Sequence, residues 1–233
     1  MLLLQLAGFI IPFALLHPLM TADYYSTAAD YSFQIKAAVL LFFANCALTI
    51  GIAIKVWPIF RRYSEPMAMW LIVLSVIMFT LQAIDNVHIM SMLSLSQQYV
   101  ENSAANESFG ALATMVRITR RWAHYPELFA IDFWIMLFQV IVFRFALVPR
   151  ALAAFSLLTM LVHFCAVPLP GFLGYGINTT FGVPMALGLL AMAVRLIGKG
   201  FEHEAWRPVM NRKAGMVNGE VRGRFSAECA NAD

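Results

Sequence analysis

Residues 67–90 read MAMWLIVLSVIMFTLQAIDNVHIM, with no Lys, Arg, Pro or Gly in the run. At about 1.5 Å of rise per residue a helix of this length reaches about 36 Å. The hydrocarbon layer of a bilayer is about 30 Å thick. The first two-thirds are apolar on every side, whereas a helix on a soluble domain would alternate an apolar stripe with a polar one. The stretch therefore predicts a membrane-spanning helix. Its strongly polar residues, Gln82, Asp85, Asn86 and His88, gather at one end.

Five further stretches share this character: residues 2–19, 37–56, 128–148, 151–167 and 182–198. Backbone in lipid must satisfy its own hydrogen bonds, which makes these segments helices rather than open strands. The rest of the chain agrees. Of its 233 residues 61% are hydrophobic and 12% charged, and its mean hydropathy is +0.73. A soluble domain is about 45–50% apolar and about 25% charged. The fold class expected is an all-α membrane protein: a bundle of six transmembrane helices over residues 1–200, followed by a flexible cytoplasmic tail over 201–233. Residues 2–19 lack the basic start of a signal peptide and exceed its usual apolar run of about 7–15 residues, so the first segment is expected to be kept.

The basic residues give a direction. Lys55, Arg61, Arg62, Arg144, Arg150, Arg195, Lys199, Arg207, Arg212, Lys213, Arg222 and Arg224 fall on one side of the six expected spans, and Lys36, Arg117, Arg120 and Arg121 on the other. Cytoplasmic loops carry the excess of Lys and Arg, so this 12-to-4 split among the 16 basic residues places both termini in the cytoplasm. The net charge of +3 is then a topological signal, and no nucleic-acid partner is expected. Membrane lipids are the expected partners, with a small amphiphilic ligand as a further one. The cysteines, Cys46, Cys165 and Cys229, form no CxxC pair and no disulfide framework.

Residues 94–125 form the longest expected connection, on the outer side. Its first half is polar. In its second half Arg117, Arg120, Arg121 and His124 recur at helical spacing, with Leu112, Met115, Val116, Ile118 and Trp122 as apolar neighbours. That pattern predicts an amphipathic helix on the outer face before span four, its basic stripe solvated or touching an anion or lipid headgroup. The Gly/Pro-rich stretch PLPGFLGYG, residues 168–176, is expected as an outer loop. It follows no strand and is not a nucleotide-binding loop.

Ionisable groups inside hydrocarbon cost about 2.5–3.5 kcal/mol each on insertion scales. They are therefore turned inward, paired or used. Asp85 lies about 27 Å along span three, Asp132 about 7 Å into span four, His163 about 18 Å along span five and His17 about 24 Å along span one. All four levels fall in the outer half of the bilayer. Asp85, His88, Asp132 and His163 are the candidate catalytic groups, as acid–base couples of a carboxylate with an imidazole. Gln82, Asn86, Gln139, Arg117, Arg120, Arg121 and His124 are the candidate binding residues. The inner half is nearly free of polar groups. Two histidines on different helices would suit a haem, and two His with two Asp a metal. No HxxxH or HExxH spacing supports either cofactor, so no metal ligand is assigned and the cofactor stays open.

The segment 82–96, QAIDNVHIMSMLSLS, with AIDFW at 130–134 and FRFALVPRAL at 143–152, resembles an uncharacterised family of six-helix bacterial membrane proteins classed as a domain of unknown function. In that family a polar residue in span three precedes a Leu/Ser-rich run. A later helix ends in an Arg-x-x-x-x-Pro-Arg turn, matched here by Arg144, Pro149 and Arg150. Span three of such proteins often carries Glu where this chain has Asp85. The resemblance covers most of residues 2–199 and implies the six-helix topology and a bacterial inner-membrane location. It implies no activity.

Three functions fit these readings. One is a pocket in the outer half of the bilayer that binds or acts on a small amphiphilic or lipid-like molecule by acid–base chemistry. The second is a structural or accessory membrane subunit whose polar residues only hold helices together. The third is a small proton-coupled transporter, against which stand the apolar inner half and the lack of repeated halves. Whether the protein is an enzyme is left open by the sequence.

Overall fold

The computed structural model describes residues 2–21, 23–102 and 107–201. The expected tail, residues 201–233, lies outside this description except for Phe201. Every regular element is helical. In chain order they are α1 (Leu2–Leu15), α2 (His17–Met20), α3 (Tyr24–Thr27), a 3₁₀ turn (Ala28–Tyr31), α4 (Ser32–Phe60), α5 (Glu65–Asn102), α6 (Glu107–Arg144), α7 (Arg150–Ala166), α8 (Pro168–Phe172), a second 3₁₀ turn (Thr179–Phe181) and α9 (Gly182–Lys199).

Among the described residues five helical stretches are long and apolar enough to cross a membrane: Tyr24–Phe60, Glu65–Glu101, Phe109–Arg144, Arg150–Phe172 and Thr179–Lys199. The chain is a multi-pass helical membrane protein. The sixth expected span, residues 2–19, is divided. Helix α1 has 14 residues, about 21 Å, and α2 begins after Leu16 with Pro18 in its first turn.

Chain neighbours are bundle neighbours. Helix α1 packs on α4, α4 on α5, α5 on α6, α6 on α7 and α7 on α9, and α9 returns to α1. The ring closes because the links are short. A turn over residues 61–64 joins α4 to α5. The link from α6 to α7 is a helix-stop motif, in which Leu147 N–H donates to the Val142 carbonyl at 3.0 Å and Ala146 N–H to Phe143 at 3.2 Å. Ala146 takes the left-handed conformation, φ 49°, that this motif requires.

Two helices run further than the sequence suggested. Residues 94–102 continue α5, and α6 begins at Glu107, so the expected outer loop is mostly helix. Helices α5 and α6 have 38 residues each, about 57 Å, well beyond the hydrocarbon thickness. Packing holds the extensions. Tyr24 Oη donates to the Ala113 carbonyl at 2.9 Å, Ala29 N–H donates to Ser96 Oγ at 2.8 Å, and the Tyr99 ring makes an edge contact with Tyr25 and a tilted one with Phe109, centroids 5.1 Å away in each case. The amphipathic segment before span four is therefore not a separate helix lying on the membrane. It is the first half of α6, which passes through Pro126 without ending. Proline removes one backbone donor there, and the flanking packed turns keep the helix intact.

Two apolar cores fill the bundle. One gathers Ile52, Met78, Ala130, Trp134, Phe138 and Ile141. The other gathers Leu16, Tyr24, Ile35, Phe42, Ile89, Met92 and Ala113. A polar layer separates them along each long helix: Asn45 and Thr49 on α4, Gln82, Asp85 and Asn86 on α5, and Arg120, His124 and Glu127 on α6. Part of the candidate chemistry, including Asp85, sits in this layer.

Candidate functional site

Asp85 is 1% exposed. A carboxylate that far from water needs a compensating charge, and α6 supplies it. Arg120 Nη2 donates to Asp85 Oδ2 at 3.3 Å. The same guanidinium approaches Met20 Sδ at 3.7 Å through Nη1. His124, one helical turn along α6, holds Nδ1 at 3.5 Å from Asp85 Oδ2 and at 2.9 Å from Glu127 Oε2. Glu127 is 2% exposed. The result is a buried charged cluster bridging α5 and α6, made by residues at i, i+4 and i+7 on one face of α6.

This geometry redistributes the expected basic stripe. Arg120 is buried and His124 half-buried, both facing Asp85. Arg117 and Arg121 are exposed, and Arg121 Nε donates to the Tyr125 hydroxyl at 3.2 Å. The stripe is thus not one solvated surface: its Arg120 edge is the counter-charge of the buried acid. The same contacts correct the expected pairing of Asp85 with His88 or His163. Asp85 meets Arg120 and His124, and His88 is half-buried with no hydrogen bond or ion pair among the described residues.

Sequence reasoning missed Glu127, which falls just before the expected span 128–148. The i, i+3 spacing from His124 was the available signal. It also missed that the buried Asp85 required the nearest cations on the same side of the membrane, which were those of α6.

The remaining expected residues occupy separate places. Asp132 Oδ2 lies 3.6 Å from His163 Nδ1, joining α6 to α7. That separation is beyond hydrogen-bond length, and both atoms are buried without a hydrogen-bond partner. Gln82 Nε2 donates to Asn86 Oδ1 at 3.1 Å. The other end of the Asn86 amide, Nδ2, is buried and unpartnered. Gln139 is fully buried, and both its amide atoms lack partners. It lines a cavity of about 40 Å³ with Gln5, Phe9, Trp134, Leu189 and Met192. Gln5 reaches α4, donating to Thr49 Oγ1 at 2.9 Å. His17 is exposed. The expected single pocket is therefore three polar places rather than one.

A groove of about 530 Å³ runs between α4 and α5 beside the charged cluster. Val39, Phe43, Val87, Met90 and Leu95 give it apolar walls, Val116 of α6 closes one end, and Asn86, Ser91, Ser94 and Gln98 are its polar lining. Val87 is 64% exposed, so the groove opens sideways from the bundle. Among the described residues one trio has metal-ligand character: an oxygen of Asp85, a nitrogen of His124 and an oxygen of Glu127 all lie within 4.8 Å of one another.

Residues 1–200 match the family model of DUF4386, a domain of unknown function, and the chain belongs to that family. The resemblance read from residues 82–96, 130–134 and 143–152 is borne out. No curated protein and no solved structure matches the chain.

Proposed function

We propose that this membrane protein binds a small amphiphile in the α4–α5 groove, holding the polar end of the ligand at Asn86. The observation that carries this reading is the buried, unpartnered Nδ2 of Asn86 in the lining of a lipid-facing groove. An amide donor buried without a partner costs about 1–3 kcal/mol. A carbonyl, ester or phosphate oxygen of a bound molecule would satisfy it. The groove volume falls within the usual range of about 300–1,000 Å³ for small-molecule sites, and its apolar walls suit an acyl or isoprenoid chain. Asp85 of the charged cluster precedes Asn86 on the same helix but does not line the groove.

The test is mass spectrometry of the protein purified in mild detergent, together with labelling by a photoactivatable phospholipid. Co-purified amphiphile and label on α4 and α5 are expected, both reduced at least about tenfold by Val87→Trp, which fills the groove, and by Asn86→Leu. Absence of any amphiphile, or labelling indifferent to both substitutions, leaves the accessory-subunit reading in its place.

The topology belongs to the same proposal. The closed ring α1–α4–α5–α6–α7–α9 supports six crossings, with α1 and α2 together spanning about 28 Å. The distribution of basic residues supports cytoplasmic termini in a bacterial inner membrane. In intact cells carrying a variant freed of native cysteines, a membrane-impermeant maleimide is expected to label Gly176→Cys and spare Ser64→Cys. The reverse pattern would invert the orientation.

A further inference from the structure

We propose that Asp85, His124 and Glu127 form a site for one divalent transition-metal ion, with Zn²⁺ the best fit. This does not rest on the groove: it concerns different side chains, on the α6 face of α5. One imidazole nitrogen with two carboxylate oxygens is a donor set of borderline hardness, suited to Zn²⁺, Mn²⁺ or Fe²⁺. Zinc binds such atoms at about 2.0–2.2 Å, so two ligands on one tetrahedral ion lie about 3.3–3.5 Å apart. The 3.5 Å between His124 Nδ1 and Asp85 Oδ2 matches that spacing, the 2.9 Å to Glu127 Oε2 is shorter than it, and all three ligand atoms fall within 4.8 Å.

A second observation is independent of these spacings. Asp85 Oδ1, on the same carboxylate, is buried and has no hydrogen-bond partner, although the residue is 1% exposed. The cluster sets two carboxylates beside one guanidinium and one imidazole. An ion ligated by three protein atoms would keep a fourth position for water or hydroxide. Arg120, bonded to Asp85, takes the role of the outer partner that orients a ligating carboxylate. Access exists: the His124 side chain is 27% exposed while both acids are nearly sealed.

The experiment uses the full chain, purified in mild detergent and stripped with a chelator, then titrated with Zn²⁺ alone in competition with a chelating dye. One equivalent is expected to bind. Co²⁺ in its place is expected to give the visible absorption of a four-coordinate ion, which Zn²⁺ then bleaches. His124→Gln and Glu127→Gln should weaken binding on the order of 100-fold or more, and Arg120→Gln by about 10–100-fold. Asp132→Asn, outside the trio, should leave it unchanged. Failure of the unsubstituted chain to bind one equivalent overturns the site whatever the variants do. So does stoichiometric binding that survives all three substitutions, since the metal would then sit elsewhere. Metal content and amphiphile content are read separately, so one proposal can fail while the other holds.

Discussion

Replacing Arg120 with Met removes the permanent charge facing Asp85 and keeps much of the side-chain volume. Asp85 is 1% exposed, and its remaining close partner is His124 Nδ1 at 3.5 Å. Two magnitudes compete for the outcome. If the Arg120–Asp85 contact behaves as an ordinary interhelical hydrogen bond, its loss costs about 0.6 kcal/mol. If it is a desolvated ion pair, removing one partner strands a buried charge and costs about 3–5 kcal/mol. Burial of both partners favours the second figure, and residual support from His124 places the expected value near about 3 kcal/mol. The double variant Arg120→Met/Asp85→Leu removes both charges, and should recover most of the loss because an apolar pair of similar volume often replaces a buried ion pair without penalty. The assay is reversible unfolding in mixed micelles with increasing denaturing detergent, followed by far-UV circular dichroism. A single-variant cost below about 1 kcal/mol, or a double variant no more stable than the single, would refute the reasoning.

Other substitutions probe the scaffold by the same assay. Ala146→Gly should stabilise by up to about 1 kcal/mol, because the left-handed φ of 49° costs an L-residue about 1–2 kcal/mol and the added chain entropy of glycine offsets about half of that. No gain would mean that the turn relaxes in solution. Tyr24→Phe should lose about 1 kcal/mol with its bond to the Ala113 carbonyl, and an unchanged midpoint would show that the α3–α6 contact is not held by that bond. Gly8→Val should destabilise by about 1–3 kcal/mol, since a Cβ at Gly8 would run into the Asn45 side chain; tolerance would show that α1 moves freely on α4. Gln139→Leu should stabilise by about 1 kcal/mol by removing two unpartnered amide atoms. A loss instead would mean that water in the adjoining cavity satisfies that amide.

Most of the helices were legible because hydrocarbon imposes a length and composition on every segment that crosses it. The expected spans 37–56, 67–90, 128–148, 151–167 and 182–198 each fall within or nearly coincide with one observed helix. The ends were less legible, because nothing in hydropathy marks where a helix stops once it has left the lipid. Helix α5 runs on through Ser91, Ser94 and Gln97, whose polarity looked like loop. It is held there by Tyr25 and Ala29, which meet Tyr99 and Ser96 from a segment distant in sequence. The candidate site was legible in residue type and not in pairing. Depth along separate spans put Asp85, His88, Asp132 and His163 at one level, but depth carries no information about rotation. Rotation turns Asp85 toward α6 and Asp132 toward α7. The counter-charge was misplaced for a related reason: Arg120 and His124 were read with Arg117 and Arg121 as one stripe, although a stripe of that width on α6 faces both a neighbouring helix and the outside.

The composition of the polar layer itself argues against helix adhesion as its whole purpose. Apart from Asp132 and His163 between α6 and α7, other helix contacts in this bundle use neutral groups. Gln5 binds Thr49, Trp134 Nε1 donates to the Leu71 carbonyl at 3.1 Å, and Ser156 Oγ donates to the Gly188 carbonyl at 3.2 Å. Such contacts carry little insertion cost. The α5–α6 junction instead places a carboxylate, a guanidinium, an imidazole and a second carboxylate between two apolar cores. Each charged group there is expensive to insert, at about 2.5–3.5 kcal/mol, and the pairing only partly offsets it. A neutral junction of Ser, Asn and Gln would adhere as well at lower cost. Under the metal-site proposal, what the charged version adds is a place to hold an ion within the bundle, with His124 as the half-exposed group between two sealed acids. That property, rather than the number of helices, is what the Arg120, His124 and Glu127 variants are chosen to expose.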